Sequence, residues 1–303
     1  MSPNEATVRL SGAAMWVAGA RPRTLPAAVV PVAVGTAAVA GDADIIWWRA
    51  LAALVVALAL QVATNYVNDY ADGERGTDHA GARVGPVRLV GSGLASAKQV
   101  KVAALISFGV AALAGAVLAF SVGPELFVVG AASIFAGWAY TAGPKPYGYL
   151  GLGEVFVFVF FGLVATIGSA YIHTGSITSV AVAAAIPVGL LAVALLVINN
   201  LRDIPGDTNA GKNTLAVRLG DAGTRTTYVL LMIGVAAGIV GVATMRLGAL
   251  FSLVSLLTAM GPVGAVTSGA SGKDLIAVLG ATGRVQLTTG LTLALGLALD
   301  AWV

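Results

Sequence analysis

Long apolar runs separated by short polar segments dominate the chain. A helix needs about 20 apolar residues to cross a bilayer, and uncharged windows near that length recur along the sequence. We predict a spanning helix in each of nine windows: Thr24–Gly41, Ala50–Asn68, Val102–Pro124, Leu126–Pro144, Val155–His173, Ser179–Leu201, Thr226–Met245, Leu247–Gly272 and Val285–Leu299. The pattern therefore predicts an all-α, polytopic membrane protein.

Three shorter features complete this pattern. The stretch Val155–Leu201 is too long for one crossing, and the turn residues of Thr174–Thr178 divide it. Ala13–Ala20 is a short apolar segment that precedes the first window and predicts an interfacial helix. Lys273–Arg284 is mildly amphipathic and bounded by basic residues, which predicts a short helix along the membrane surface before the ninth span.

The composition agrees with a membrane protein and excludes an ordinary soluble domain. Charged residues make up 10% of the chain, against about 25% in soluble domains, and the mean hydropathy is +0.90. The chain has no cysteine, so it has neither disulfides nor a thiolate metal site.

The distribution of basic residues predicts the orientation. With the N-terminus in the cytoplasm, 15 of the 17 basic residues lie in cytoplasmic segments, and only Arg49 and Arg246 lie outside. Such a bias sets the topology of inner-membrane proteins, so we expect a multi-pass protein of the cell (inner) membrane. The net charge of +3 follows from this bias and indicates no nucleic-acid partner.

Polar residues concentrate in two predicted cytoplasmic loops, Asp69–Lys101 and Arg202–Arg225. The loops are four predicted helices apart, and each carries amide, acidic and basic residues at the end of a helix. We expect one transmembrane domain over residues 1–303, built from four-helix halves at roughly 24–144 and 151–268 plus a ninth helix.

Each of these loops begins with an acidic motif. Asp69 and Asp72 follow asparagines at helical spacing and share one helix face with them, while Asp203 and Asp207 form the second motif, where Pro205 bends or restarts the helix. Oxygen ligands without nearby histidine or cysteine suit a hard cation, and magnesium takes one or two carboxylates while substrate phosphates complete its shell. The motifs therefore predict a Mg²⁺ site facing the cytoplasm.

Basic residues on the same side indicate the ligand that joins these metals. A diphosphate fits best, because its oxygens can bridge cations and magnesium. If the diphosphate leaves an allylic lipid, the cations stabilise the charge that develops on it. The residues concerned are Arg83, Arg88, Lys145, Arg202 and Lys212.

Other functions are consistent with parts of this pattern. Charged residues at helix ends often only solvate a loop, and a secondary transporter also has many spans and intramembrane ionisable residues. Transport sites lie near the bilayer midplane, whereas the acids here lie at helix ends. A protein that binds a phosphate lipid without catalysis is a third possibility, and release of diphosphate would distinguish the enzyme from it.

The motifs together resemble those of the UbiA superfamily of intramembrane aromatic prenyltransferases, in particular its 1,4-dihydroxy-2-naphthoate polyprenyltransferase branch. The resemblance covers nearly the whole chain. It rests on Arg21–Pro26, Asn65–Asp72 with its continuation to Leu89, Tyr140–Pro144, Gly151–Glu154, Asn199–Asp207 and Gly211–Arg218.

The resemblance implies nine helices around a central cavity with cytoplasmic cap loops. It implies metal ligation by Asp69, Asp72, Asp203 and Asp207. Three asparagines would support the metals and the phosphate: Asn65, Asn68 and Asn199. Four basic residues would bind the diphosphate: Arg83, Arg88, Lys145 and Lys212. Tyr140 would lie beside the allylic cation, and Lys145 or Glu154 would lie near the acceptor. Family members commonly have another acid four residues after the second acid of the first motif, and here that position is Gly76. The next acid, Asp78, is then either a metal ligand or a loop acid that pairs with Arg75 or Arg83.

The implied reaction transfers a polyprenyl chain from polyprenyl diphosphate to 1,4-dihydroxy-2-naphthoate, with loss of diphosphate and CO2, in menaquinone biosynthesis. The partners are this donor, an aromatic acid and the lipid bilayer. Another acceptor, such as 4-hydroxybenzoate, a porphyrin or a homogentisate-type ring, is the closest rival. Neither prenyl length nor oligomeric state follows from the sequence.

Overall fold

The computed structural model describes residues 12–76 and 87–300, and throughout those residues the regular secondary structure is helical, which confirms the all-α class. The helices are α1 (Ala13–Ala20), α2 (Pro26–Ala37), α3 (Trp47–Glu74), α4 (Ala97–Val122), α5 (Glu125–Ala139), α6 (Gly153–Thr174), α7 (Ser179–Asn209), α8 (Leu215–Ala243), α9 (Leu247–Thr267) and α10 (Asp274–Asp300).

Each predicted window coincides with one of these helices. Within the described part of the chain, six of them are long and apolar enough to cross a membrane: α3, α4, α6, α7, α8 and α9. Helices α2 and α5 are apolar but shorter. The count of nine crossings therefore stays a prediction.

The helix bounds differ from the windows in two informative places. The prediction of a separate surface helix at Lys273–Arg284 is wrong, because α10 runs unbroken from Asp274 to Asp300. Val278, Thr282 and Val285 are all buried, so one apolar face continues through this region and no turn residue interrupts it. Helix α7 likewise continues through Pro205 to Asn209, so the helix does not restart at this proline.

Local sequence signals account for the helix ends. Ser96 caps α4, and its hydroxyl accepts the N–H of Gln99 while the Gln99 side chain accepts the N–H of Ser96. The hydroxyl of Thr214 caps α8 by accepting the N–H of Val217. Gly175 ends α6 with a φ of 66°, a conformation that favours glycine.

Helix α7 forms the centre of the bundle. In its most apolar stretch 72% of the residues are buried, compared with 28% in each of the other five long apolar helices. Its side chains, such as Leu191 and Ile198, join Tyr228 and Ile239 of α8 in the largest buried cluster. The other long apolar helices therefore expose apolar surface that lipid can contact, whereas α7 exposes little.

Glycines let several helices approach backbone to backbone. A Cβ at Gly35 of α2 would lie 2.2 Å from the carbonyl oxygen of Thr166, and one at Gly162 of α6 would lie 2.5 Å from the Cα of Gly189. Close approach at small residues is the usual basis of helix association in membranes. These glycines place α2, α6 and α7 around the cavity described below.

We predict that Gly35→Ala destabilises the protein and that Gly109→Ala does not. The new methyl group at Gly35 overlaps a backbone carbonyl, and such overpacking costs about 1–3 kcal/mol. Gly109 of α4 has no atom within 4 Å of the same position, so alanine there gains up to about 1 kcal/mol in helix propensity. Thermal unfolding in detergent measures both, and equal midpoints for the two variants would contradict the packing.

Candidate active site

Polar side chains from several segments meet at one end of the bundle. The C-terminal turns of α3 and α7 carry the two acidic motifs. Three connecting segments pack over them, at residues 87–90, 140–152 and 210–214. The site is therefore assembled from parts of the chain that are distant in sequence.

The carboxylate of Asp72 accepts hydrogen bonds from three of these segments. Nη2 of Arg88 lies 3.1 Å from one of its oxygens, and Nζ of Lys212 lies 3.1 Å from the other. The hydroxyl of Tyr149 donates to the same carboxylate. Asp72 is 2% exposed, so these donors replace the water that it loses on burial.

Lys212 connects the two acidic motifs. Its Nζ bonds Asp72 of α3 and lies 3.8 Å from Oδ1 of Asp207 at the end of α7. The ammonium also lies 4.7 Å from the centre of the Tyr149 ring, close enough for a cation–π interaction. Acids from two separate stretches therefore lie on one side of the molecule, next to a shared cation.

Tyr149 was not among the predicted site residues. It belongs to a short 3₁₀ turn, Tyr147–Leu150. Two hydrogen bonds attach this turn to the chain that follows α7: the backbone N–H of Asn213 donates to the carbonyl of Tyr149 (3.0 Å), and the side chain of Arg218, in the first turn of α8, donates to the carbonyl of Leu150 (2.9 Å). Burial and the Asp72 carboxylate raise the pKa of Tyr149 above its usual value, so the phenol keeps its proton and donates it.

Arg75 is a second residue that the motifs did not indicate. Its guanidinium donates to the carbonyls of Thr141 and Gly143, the latter at 2.8 Å, and stacks over Tyr149 at 5.2 Å. The hydroxyl of Thr141 donates to Oδ1 of Asn68 at 2.6 Å. Arg75 therefore holds the connection after α5 against the end of α3.

Asp69 has different partners from its neighbour Asp72. One oxygen accepts the backbone N–H of Leu89 at 2.8 Å, and the other accepts that of Val90 at 2.9 Å. Asp69 and Leu89 are both fully buried. This carboxylate fixes the segment that carries Arg88, and its role as a metal ligand stays a prediction.

The second motif contains its own counter-ion. Nε and Nη2 of Arg202 donate to the two oxygens of Asp203, each at 2.7 Å, and Nη2 also bonds Oδ1 of Asn199 at 2.9 Å. The side chain of Arg202 is 1% exposed. Arg202 orients Asp203 and Asn199, and its predicted role in binding diphosphate stays a prediction.

The remaining predicted residues have varied positions. Glu154 is buried at the start of α6, where it accepts a hydrogen bond from Asn200 at 3.0 Å. Lys145 is exposed, and no hydrogen bond or ion pair places it against another described residue. Arg83 and Asp78 lie outside the described residues. Asn65 is buried on α3, where its amide donates to the carbonyl of Ala20 at 2.9 Å.

A cavity of about 490 Å³ opens below this polar cluster. Its polar end includes Arg21, Asn65, Asn68, Tyr140 and Asn199, and its remaining wall is mostly alanine, glycine, valine, leucine and phenylalanine. Helices α2 to α7 all contribute. Asn68 and Asn199 line the cavity and belong to the same helix turns as the two acidic motifs. The cluster of Asp72, Asp207 and Lys212, which we call the charged end, therefore adjoins a cavity with an apolar interior.

A row of aromatic rings follows one wall of this cavity. The ring centres of Tyr140 and Tyr147 are 5.4 Å apart, Tyr147 stacks on Phe156 at 3.9 Å, and Phe160 follows at 6.1 Å. Burial raises the pKa of Tyr147, so its phenol stays neutral. A π-helical segment at Phe158–Val164 lies within this wall, and such segments are frequent at functional sites.

The donor set fits a magnesium ion that a substrate helps to bind. Among the described residues, no group of three or more histidine, cysteine, aspartate or glutamate side chains is close enough to hold a metal alone. Magnesium does not need such a group, because one or two carboxylates plus phosphate oxygens and water satisfy it. Asp72 and Asp207 already share the Lys212 cation, which shows that this point favours positive charge.

Comparison with known sequences agrees with the resemblance that the motifs indicated. The model of the UbiA prenyltransferase family matches residues 28–274. A 1,4-dihydroxy-2-naphthoate octaprenyltransferase of Mycobacterium tuberculosis is 50% identical over 287 residues, which cover 94% of this chain and 97% of the relative. The enzyme of the same name from Escherichia coli is 37% identical and covers 82% of this chain and 80% of its own.

Solved structures share the fold at low sequence identity. A UbiA homolog from Archaeoglobus fulgidus bound to GPP and Mg2+ has a TM-score of 0.66 and 13% identity, with 92% of this chain and 99% of that chain covered. An apo UbiA homolog from Aeropyrum pernix K1 has a TM-score of 0.68 and 14% identity, with 91% and 97% covered.

We predict that Asp69→Ala loosens the segment at residues 87–90. Two buried N–H groups lose their acceptor, which costs about 1–3 kcal/mol each. Thermal unfolding in detergent should show a lower midpoint, and trypsin should cleave faster after Arg88. The matched control is Glu74→Ala, an exposed acid on the same helix. Equal cleavage in the two variants would contradict the anchoring role.

Proposed function

The chain belongs to the UbiA prenyltransferase family, and we propose that it transfers a polyprenyl group from polyprenyl diphosphate to 1,4-dihydroxy-2-naphthoate, with release of diphosphate and CO2. The product, after oxidation, is demethylmenaquinone. The observation that carries this proposal is the meeting of Asp72, Asp207 and Lys212 at the charged end of an apolar cavity. The relatives' names support the choice of acceptor.

The charged end suits the diphosphate of the donor. Asp72 holds the guanidinium of Arg88 and the ammonium of Lys212 at the site. Both cations are therefore in position before the substrate binds. A preorganised cation stabilises charge on a leaving diphosphate more than a mobile one does. Arg83, from the segment outside the described residues, is proposed as a further contact.

Magnesium is the proposed cofactor. Asp69, Asp72, Asp203 and Asp207 would hold it, with Asn68 and Asn199 as neighbouring amides. When bound, the ion neutralises the diphosphate and makes it a better leaving group. The A. fulgidus homolog shares the fold of this chain and is bound to GPP and Mg2+, which supports the choice of cofactor.

Ionisation breaks the carbon–oxygen bond of the donor, and the electron pair leaves with the diphosphate. The resulting allylic cation lies beside Tyr140 and Tyr147 at the mouth of the cavity. The faces of aromatic rings attract cations, and neither phenol is ionised to trap the cation covalently. The apolar wall excludes water, which would otherwise capture the cation as an alcohol.

The naphthoate then attacks through the ring carbon that carries its carboxylate. The new carbon–carbon bond forms, the bond to the carboxylate breaks, and CO2 leaves while its electrons return to the ring. Tyr140 lines the cavity, whereas Glu154 and Lys145 do not. We therefore assign Glu154 a supporting position behind Tyr140, and Lys145 a position at the cytoplasmic surface.

We place the charged end at the cytoplasmic face of the cell membrane, with nine crossings. The bias of basic residues supports this orientation. So does the position of the site, because α3 and α7 reach it with their C-terminal turns and both lead into basic loops. Water-soluble naphthoate and diphosphate would then exchange with the cytoplasm.

The substrate assignment predicts a specific product. Purified protein with a polyprenyl diphosphate, Mg²⁺ and a panel of aromatic acids should prenylate dihydroxynaphthoate and release one diphosphate and one CO2 per turnover. Chromatography of the lipid product and assays of both small products measure this. Prenylation of 4-hydroxybenzoate without a naphthoate product would overturn the acceptor assignment.

The site assignment predicts that single acids are essential. Asp72→Ala and Asp203→Ala should lower kcat/KM at least about a hundredfold, because each removes charge that holds the metal or a cation. Chelation of Mg²⁺ should abolish activity and re-addition should restore it. The control is Asp221→Ala, an exposed acid that pairs with Arg225 on α8 and should retain activity. Full activity of both site variants would refute the proposed metal ligands.

A further inference from the structure

Gln61 is a buried polar residue of the cavity wall to which the proposed reaction gives no role. It lies on α3, one turn before Asn65, and its side chain lines the cavity. The residue is 7% exposed. A polar group in apolar surroundings costs free energy unless it is hydrogen-bonded, so the partners of this amide indicate what it does.

Hydrogen bonds determine which way the amide of Gln61 points. The hydroxyl of Thr24 donates to the carbonyl of Arg21 at 2.9 Å, so its oxygen can only accept from other groups. Gln61 must therefore present its nitrogen, and Nε2 donates to the Thr24 oxygen at 3.0 Å. The amide of Asn65 donates to the same oxygen at 3.0 Å. Oε1 of Gln61 is then the atom left to face another partner.

This oxygen is an acceptor that the cavity can reach. Among the described residues, no group donates a hydrogen bond to Oε1 of Gln61. The atom is not one of the polar atoms that surrounding protein encloses without a partner. Because Gln61 lines the cavity, a ligand in the cavity can donate to it.

Two other amide oxygens at the polar end already accept hydrogen bonds. Oδ1 of Asn68 accepts a hydroxyl from the connection after α5 at 2.6 Å, and Oδ1 of Asn199 accepts from Arg202 at 2.9 Å. Asn65 is one turn nearer to the acidic motif, at the level proposed for the metal and the diphosphate. Gln61 therefore offers an acceptor one turn deeper in the cavity.

The packing of α3 against α5 places Gln61 near the proposed reaction centre. A Cβ at Gly137 of α5 would lie 2.8 Å from Oγ1 of Thr64 on α3. The hydroxyl of the residue after Tyr140 bonds Asn68. Tyr140 is therefore level with the turn of α3 that follows Gln61, and one turn is a rise of about 5 Å. A bicyclic acceptor that meets a cation beside Tyr140 is long enough to reach that depth.

The proposed acceptor has a hydroxyl that needs such an oxygen. In 1,4-dihydroxy-2-naphthoate the 1-hydroxyl is next to the carboxylate and donates to it within the molecule. The 4-hydroxyl, across the ring, has no internal partner. It loses its water when the ring enters an apolar cavity, so an acceptor in the wall has to replace that water.

We propose that Oε1 of Gln61 accepts the 4-hydroxyl of the naphthoate and selects acceptors that carry this group. The proposal rests on the proposed function, which supplies the class of acceptor. Prenyl transfer replaces the carboxylate and leaves both hydroxyls with their protons, so this contact requires no base. An amide oxygen is therefore sufficient, and Gln61 determines specificity without taking part in a proton transfer.

Removal of the hydroxyl from the ligand tests one side of this contact. The unmodified protein should bind dihydroxynaphthoate at least about tenfold more tightly than 1-hydroxy-2-naphthoate, which lacks the 4-hydroxyl and leaves the amide oxygen unpaired. Calorimetric titration in lipid nanodiscs measures both dissociation constants. Mg²⁺ and inorganic diphosphate are present to fill the charged end, so that no prenyl transfer occurs. Equal affinities for the two naphthoates would already refute the contact.

Removal of the amide tests the other side. Gln61→Met keeps the length of the side chain and should lower the ratio of the two affinities to about one. The matched control is Gln286→Met, at a fully buried glutamine of α10 that does not line the cavity, and it should keep the unmodified ratio. If Gln61→Met also keeps that ratio, or if both variants lower it equally, the proposal is wrong.

Steady-state kinetics give a readout that a purely structural role would not produce. In Gln61→Met the KM for dihydroxynaphthoate should rise about tenfold, whereas the KM for the polyprenyl diphosphate should stay the same, because the donor binds at the charged end. Equal increases in the two constants would show that the substitution disturbs the whole site and would contradict a specific contact.

The two proposals fail in different ways. If the unmodified protein prenylates no naphthoate, the proposed function is wrong. If it prenylates dihydroxynaphthoate but Gln61→Met binds the two naphthoates in the unmodified ratio, the function stands and Gln61 does not contact the 4-hydroxyl.

Discussion

The ion-pair network around Asp72 is the interaction on which the site depends. An ionised carboxylate at 2% exposure in an apolar bundle costs several kcal/mol unless charged partners replace its water. Arg88 and Lys212 supply those charged partners, and the neutral phenol of Tyr149 donates a further hydrogen bond. Since they come from three different connecting segments, the cost of leaving Asp72 unpaired couples the folding of all three segments to the end of α3.

The neighbouring acids show why similar motif residues have different roles. Asp69 lies about one turn before Asp72 on α3, where its carboxylate accepts backbone N–H groups instead of side-chain cations. Asp203 is bound by Arg202 of its own helix. A cluster with several carboxylates is stable in apolar surroundings only if each charge has its own compensation, and the structure divides that compensation between loop backbone, local arginine and shared lysine.

The sequence predicted the helices well because their signal is local. Apolar windows and turn residues located each helix, and the amides and acids of α3 and α7 indicated the charged end. The contributions of Tyr149 and Arg75 were missed, since both act through contacts with distant segments and neither belongs to an acidic motif. The error at Lys273–Arg284 has a similar origin: basic residues at its ends indicated the surface, but burial of Val278 and Thr282 keeps the segment within α10.

The arrangement of small residues determines where the bundle is closed and where it is open. Gly35 and Gly162 allow backbone contact, and Gly290 leaves room for the side chain of Val30. Such contacts resist separation because the atoms there are closely packed. Gly130 and Gly168 have no such neighbours, so the same residue type leaves space where α5 stands apart from α6. Rigid seams around α7 therefore support the charged end, while the lightly packed α5 can border lipid without loosening the site.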